Sequence, residues 1–175
     1  DRLLLTDYGL VLRGDWYILN RVMPWEHFLH PRDWFCHTYH NIVPMTDFAK
    51  TPELFAQVNG KAEPVMICPT HPENLRRVSE MIPAAMVKNP NKRYFSVSQS
   101  DGAYSYCKCS RCLKIMQQHG DAPIAAHLQL VKAAANAAAD RAPKQLVEFI
   151  VYSANMRKAP QNRSEERRVG KECRS

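Results

Sequence analysis

The 175-residue chain is long enough for one globular domain with a hydrophobic core. Its 45% hydrophobic and 23% charged residues are an ordinary composition for a globular protein. No apolar run approaches the roughly 20 residues of a membrane helix, so we expect no membrane span. The net charge is +7, and the part of it that lies outside the last thirteen residues is spread along the chain, which favours a solvated surface over a nucleic-acid interface.

The last segment, residues 163–175, reads RSEERRVGKECRS. In frame, these residues reverse-translate into a common sequencing-adaptor oligonucleotide, so we interpret the segment as an adaptor-derived tail and expect it to be irregular or disordered. The alternative is a basic arm that binds nucleic acid. The segment holds five of the 24 basic and three of the 17 acidic residues, so the charge without it is +5. We also expect the chain to be incomplete at both ends.

The first half of the chain opens with an aromatic- and His-rich stretch of about fifty residues that shows little periodicity. A turn is predicted at Asn59-Gly60, and the apolar run 64–68 predicts a strand buried on both faces. Thr70 and Glu73 have the spacing of a capping box, which predicts a helix that begins there. Pro83 should kink or end that helix.

The second half alternates further strands and helices. Strands are predicted at 94–98 and 146–152, with helices at 113–119, ended by Gly120, and at 123–141 between them. The second of these helices should bury the face of Ile124, Leu128, Val131 and Ala135. Strands that alternate with helices indicate βαβ units and a parallel sheet. No Gly-rich dinucleotide-binding motif is present, so we predict an α/β fold in which residues 1–162 form part of a (β/α) barrel.

Four cysteines form the most specific local signal. Cys107, Cys109 and Cys112 lie within six residues, and thiolates at this spacing can bind one soft cation. We expect Cys68 to be the fourth ligand, because its strand should lie beside the strand that leads to the other three. The spacing favours a closed structural Zn site. Two disulfides or four reduced thiols are the alternatives.

Polar and aromatic residues near the predicted strand ends are candidates for a ligand site. Asp101 follows the strand 94–98, and the carboxyl ends of barrel strands carry the active site, so Asp101 is a candidate catalytic residue, as His37 is from the preceding loop. A plain Asp-Gly turn and a packed loop histidine are the structural alternatives. The candidate substrate-binding residues are Gln99, Tyr152, Trp16, Tyr39 and His40.

Several of these motifs together resemble a bacterial family known as domain of unknown function 4838. The motifs that carry the resemblance are Cys68-Pro69-Thr70-His71-Pro72-Glu73, Ser96-Val97-Ser98-Gln99-Ser100-Asp101-Gly102 and Cys107-x-Cys109-x-x-Cys112. The similarity as a whole covers roughly residues 16–160.

The resemblance implies a glycoside-hydrolase-like barrel enzyme, secreted or periplasmic, whose substrate is a carbohydrate. It supports Asp101, His37 and Tyr152 as site residues, although the sequence offers no convincing second carboxylate. A non-catalytic carbohydrate-binding barrel and a zinc-dependent nucleic-acid-binding module are the alternatives, and we expect no nucleic acid as partner. The sequence does not indicate an oligomeric state.

Overall fold

The computed structural model describes residues 30–101, 106–151, 158 and 160. Trp16, Tyr152 and the segment 163–175 lie outside these residues, so the predictions made for them stay predictions. The described elements, in chain order, are 3₁₀ turns at Arg32–Trp34, Met45–Asp47 and Pro52–Leu54, the short helix α1 (Tyr39–Ile42), β1 (Phe55–Val58), β2 (Lys61–Ile67), α2 (Pro72–Lys88), β3 (Tyr94–Ser96), α3 (Ser110–Gln118), α4 (Pro123–Ala138) and β4 (Leu146–Glu148).

The first two strands form an antiparallel hairpin. Asn59 and Gly60 connect them with φ values of 53° and 80°, which is the backbone of a type I′ turn and the reason that an Asn-Gly pair stands here. The turn predicted at these residues is confirmed. The prediction for 64–68 was wrong in part, because Pro64 and Val65 are exposed and the strand pairs with β1.

A parallel pair of strands forms the second sheet. β3 pairs with β4, and the chain between them runs through α3 and α4. Gly120 follows α3 with a φ of 69°, as expected for a residue that ends a helix. The fold is therefore a mixed α/β fold with a small parallel sheet. The described residues contain two strands in each sheet, so they do not by themselves form a barrel.

Helix α2 departs from its predicted boundaries at two points. It begins after His71, whose Nδ1 accepts the N–H of Glu73 at 3.2 Å, so the predicted capping box on Thr70 was wrong. The helix also continues through Pro83 to Lys88. The ring of Pro83 is buried on the face that packs inward, and the burial of that face offsets the hydrogen bond that proline cannot donate.

Helix α4 packs against α2 and supplies much of the core. Its fully buried face runs through His127, Leu130, Ala134 and Ala138, three to four residues apart, as a helical stripe requires. The predicted face is therefore rotated, since Leu128 and Ala135 are only half-buried. Small alanine side chains on this stripe allow the neighbouring elements to approach closely.

A buried polar pair lies within this core. The Tyr39 hydroxyl forms a hydrogen bond with Nδ1 of His127, and both residues have almost no exposed surface. Burial lowers the pKa of His127 to about 4 and, with the nearby Cys112, Cys68 and Cys107, raises the pKa of Tyr39 well above its usual value. The imidazole is therefore neutral in the folded protein at pH 7 and the phenol keeps its proton.

The lowered pKa of His127 predicts acid-sensitive stability. In the unfolded chain the imidazole binds a proton below a pH of about 6.5, whereas the folded protein binds it only near pH 4. The stabilisation is complete above pH 6.5 and is lost as the pH falls to 4, with a total of roughly 3 kcal/mol. Urea denaturation across this range should show a steeper loss for the wild type than for His127→Gln. Parallel curves for the two proteins would contradict the assignment.

The hairpin turn gives a second stability prediction. A Cβ at Gly60 meets no atom within 4 Å, so Gly60→Ala should cost only the left-handed backbone strain, about 1 kcal/mol. Gly60→Asn is the matched control, because asparagine adopts positive φ more readily than alanine. Equal midpoints for the alanine and asparagine variants in chemical denaturation would show that the turn does not impose this strain.

Candidate functional site

Four cysteine thiols meet in the core. The Sγ atoms of Cys68, Cys107, Cys109 and Cys112 all lie within 4.8 Å of one another. The Sγ of Cys68 is 3.7 Å from that of Cys109 and 3.8 Å from that of Cys112. The four side chains are 0–7% exposed. The sequence prediction that these four residues come together is confirmed.

The contacts that place Cys68 and Cys107 differ from the predicted ones. Cys68 directly follows β2, and its carbonyl accepts an N–H of the buried Asn74 amide at 2.8 Å. Cys107 lies beside β1, where the Gln57 N–H donates to its Sγ at 3.4 Å and the Gln57 carbonyl accepts the N–H of Lys108 at 2.8 Å. The strand before Cys68 therefore does not lie next to β3, and the hairpin brings Cys68 to the cluster instead.

The other two thiols stand at the beginning of α3. Cys109 is the residue before the helix, and Cys112 lies in its first turn. The exposed N–H groups and the dipole at a helix N-terminus favour negative charge nearby. The first turn holds no acidic residue that would compete for this position. This end of α3 therefore favours the net negative charge that thiolate ligands would bring to a bound metal ion.

Two of the sulfur–sulfur distances match those around a tetrahedral metal ion. A zinc–sulfur bond of about 2.3 Å places two tetrahedral ligand atoms about 3.8 Å apart, close to the 3.7 and 3.8 Å found here. The described cysteines are free thiols, and Cys36 lies outside the group of four. Four buried cysteines at these distances could hold a metal ion.

Protons and a metal ion compete for this cluster. Hydrogen bonds from Cys107 and Cys112 lower the pKa of Cys68 far below its usual value, whereas hydrogen bonds to Cys107 and Cys68, with burial, raise that of Cys112. Without metal, Cys68 therefore carries the negative charge, and the Cys107 and Cys112 thiols keep their protons. A divalent cation must displace these protons, so its affinity rises with pH.

An open cavity of about 470 Å³ lies near the end of β3. Its polar side is formed by His37, His40, Ser100 and Asp101, and its apolar side by Met45, Pro64 and Val65. The predicted residues His37, His40 and Asp101 are thus brought together. The apolar side was missed, because nothing in the sequence places the exposed residues of β2 opposite this loop.

His37 is held in one orientation at this cavity. Its Nδ1 donates to the carbonyl of Gln99 at 2.9 Å, because a carbonyl only accepts, and its Nε2 lies 3.6 Å from Oδ1 of Asp101. The loop is fixed by its neighbours as well, since the N–H groups of Thr38 and Tyr39 both donate to the Ser98 carbonyl at 3.1 Å. The geometry therefore presents one imidazole nitrogen and one carboxylate to the cavity.

Two of the predicted substrate-binding residues are placed differently. Tyr39 is fully buried and bonded to His127, so it offers no surface to a ligand in this structure. Gln99 is 2% exposed, and its Nε2 has no hydrogen-bond partner among the described residues. Gln99 therefore contributes to the site through its backbone carbonyl. Thr70 and Asn74, which contact the cysteine cluster, were not singled out as site residues from the sequence.

Fold and site together define a mixed α/β protein with a four-cysteine candidate metal centre and an open cavity that has polar and apolar sides. None of the helices in the described ranges is long and apolar enough to cross a membrane. The chain belongs to the family described as "Domain of unknown function (DUF4838)", whose model matches residues 5–171. No curated protein and no solved structure matches the chain. The matched range includes residues 163–171, and the adaptor interpretation of that segment stays a prediction.

The cysteine cluster predicts metal binding that depends on its four thiols. The purified chain should bind about one Zn²⁺, and Cys112→Ala should weaken binding at least 100-fold, because it leaves three ligands and opens the site. Cys36→Ser is the matched control, since Cys36 lies outside the cluster. Elemental analysis measures the amount of zinc per chain, and competition with a chromogenic chelator measures the affinity. Quantitative disulfides among the four cysteines, with no metal bound, would contradict the assignment.

Proposed function

We propose that this protein is a carbohydrate-active, glycoside-hydrolase-like domain that acts on the glycosidic bonds of oligosaccharides or polysaccharides. In this proposal the described α/β elements belong to a (β/α) barrel, and the protein is secreted or periplasmic. The substrate class comes from the family resemblance. The observation that supports its location is the convergence of His37, His40 and Asp101 at one open cavity.

The distance between His37 and Asp101 suits a bridging ligand. At 3.6 Å the Nε2 and Oδ1 atoms are too far apart for a direct hydrogen bond, but a hydroxyl group or a water can bridge them. The Asp101 side chain is 70% exposed and therefore accessible to a ligand. His37 is the candidate acid or base, because its Nδ1 is held by the Gln99 carbonyl and its Nε2 lies near Asp101. Asp101 is the candidate for an acid or nucleophile.

The shape and polarity of the cavity also fit a sugar. Its volume lies within the range of about 300–1,000 Å³ that is usual for small-molecule sites. A pyranose ring has hydroxyl groups at its edge and C–H groups on its faces. The polar side of the cavity can bind the hydroxyl groups, while Met45, Pro64 and Val65 can pack against a C–H face.

One observation favours the alternative of a carbohydrate-binding domain without hydrolysis. Among the described residues that line the cavity, only Asp101 has a carboxylate. The usual hydrolytic mechanisms need two carboxyl groups that flank the glycosidic bond. A single carboxylate with two histidines is sufficient for recognition of hydroxyl groups, so binding alone is the second candidate function.

The metal centre has a structural role in this proposal. Zinc bound by Cys68, Cys107, Cys109 and Cys112 would have four protein ligands and no open position for a substrate. Its contribution would be to hold the hairpin and the N-terminus of α3 together. Catalysis or binding then belongs to the cavity and not to the metal.

The carbohydrate proposal predicts that both functions depend on Asp101. On a glycan array and an aryl-glycoside panel, Asp101→Asn should weaken binding at least 10-fold and, if the protein hydrolyses glycosides, lower kcat/KM at least 100-fold, since the amide removes the charge and the acidic proton. Asp140→Asn is the matched control, because Asp140 is exposed and does not line the cavity. Wild-type binding without turnover would favour the binding domain. No glycan bound by the wild type, or equal function in Asp101→Asn, would refute the site.

A further inference from the structure

The hydroxyl of Thr70 is buried beside the four thiols. Its Oγ1 lies 3.0 Å from Sγ of Cys112, 3.6 Å from Sγ of Cys68 and 4.0 Å from Sγ of Cys109. Thr70 itself is 5% exposed. The Thr70 hydroxyl thus covers the face of the cluster that is formed by the sulfurs of Cys68, Cys109 and Cys112.

We propose that Thr70 is a positioning residue of the metal centre, which donates a hydrogen bond to the Cys112 and Cys68 thiolates and closes one face of the site. This proposal rests on the metal-binding role of the four cysteines. It concerns the groups around the ligands, which decide how tightly a site of given ligands holds its ion.

The chemistry of the bound state fixes the direction of this hydrogen bond. Metal-bound thiolates have no proton to give, so the hydroxyl must donate and sulfur must accept. Four thiolates around a divalent cation leave two negative charges in excess, and in a buried site this charge needs hydrogen-bond donors. The Gln57 N–H is one such donor, to Cys107, and the Thr70 hydroxyl serves the opposite pair.

Thr70 does not cap helix α2, although it lies just before it. A threonine just before a helix usually accepts a backbone N–H of the first turn. Here His71 has that role toward Glu73, so the Thr70 hydroxyl is available to the sulfurs. The hydrogen bonds that the described residues show for this hydroxyl go to cysteine sulfur.

The position of Thr70 further excludes solvent from the cluster. Thr70 lies between Cys68 and the start of α2, where it covers sulfurs from both the hairpin side and the α3 side of the site. An external ligand or thiol reagent cannot approach through this face while the side chain is in place. A closed site of this kind is typical of structural zinc.

Thr70→Val tests the proposal, because valine keeps the shape and removes the hydroxyl. Zinc affinity, measured by competition with a chromogenic chelator, should fall about 10- to 100-fold. Thr70→Ser should restore affinity to within about threefold of the wild type, because it returns the donor. With Co²⁺ as probe, the sulfur-to-cobalt charge-transfer band should shift in the valine variant and return in the serine variant.

The controls separate this proposal from the metal assignment. If valine prevents folding, the comparison of Thr70→Ser with Thr70→Ala decides, since both remove the methyl group and only serine keeps the donor. Equal affinity of the variants with and without the hydroxyl would overturn the role of Thr70 while the metal site stands. A wild type that binds no Zn²⁺ or Co²⁺ would overturn both.

Discussion

The contact between the sulfur of Cys68 and the thiols at the start of α3 is the constraint on which the described structure depends. It joins residues about 40 positions apart, and these thiols belong to the same buried core as Phe55 and Ile67. The cluster is therefore part of the core, and not a clip at its edge. Its geometry fixes where the hairpin meets the helices. A core that contains four polarisable thiols is stable in one arrangement when a cation holds them, because the sulfurs otherwise compete for protons.

The same hairpin links the cluster to the cavity. Pro64 and Val65 form part of the apolar wall, and Cys68 directly follows their strand, three residues after Val65. A strand rises about 3.3 Å per residue, so the proposed metal ligand and the wall lie roughly 10 Å apart. The position of this wall is thus set by the position of Cys68. A structural metal ion can in this way shape a ligand site that it does not contact.

The sequence was sufficient to predict those features for which a residue type and its spacing have a single structural explanation. Three closely spaced cysteines with one distant partner predicted the cluster, and Asn59-Gly60 predicted the turn. It was insufficient where tertiary contacts decide between equivalent local choices. Either Thr70 or His71 can precede a helix, and the nearby thiols decide that Thr70 faces them. Tyr39 was likewise predicted to bind substrate, but its position is determined by the buried His127, which no local sequence pattern reveals.

The two candidate sites differ in their solvent exposure, and this exposure decides which role each site can have. The cysteine cluster is buried, and its four thiolates would fill every position of a tetrahedral ion and leave none for chemistry. The cavity is open, and Asp101 and His37 both line it, with 3.6 Å between Oδ1 and Nε2. Charge that is buried among hydrogen-bond donors stabilises a fold, whereas an exposed carboxylate beside an oriented imidazole is available for a ligand. In the proposed function, rigidity and recognition thus belong to separate parts of the chain, which β2 connects.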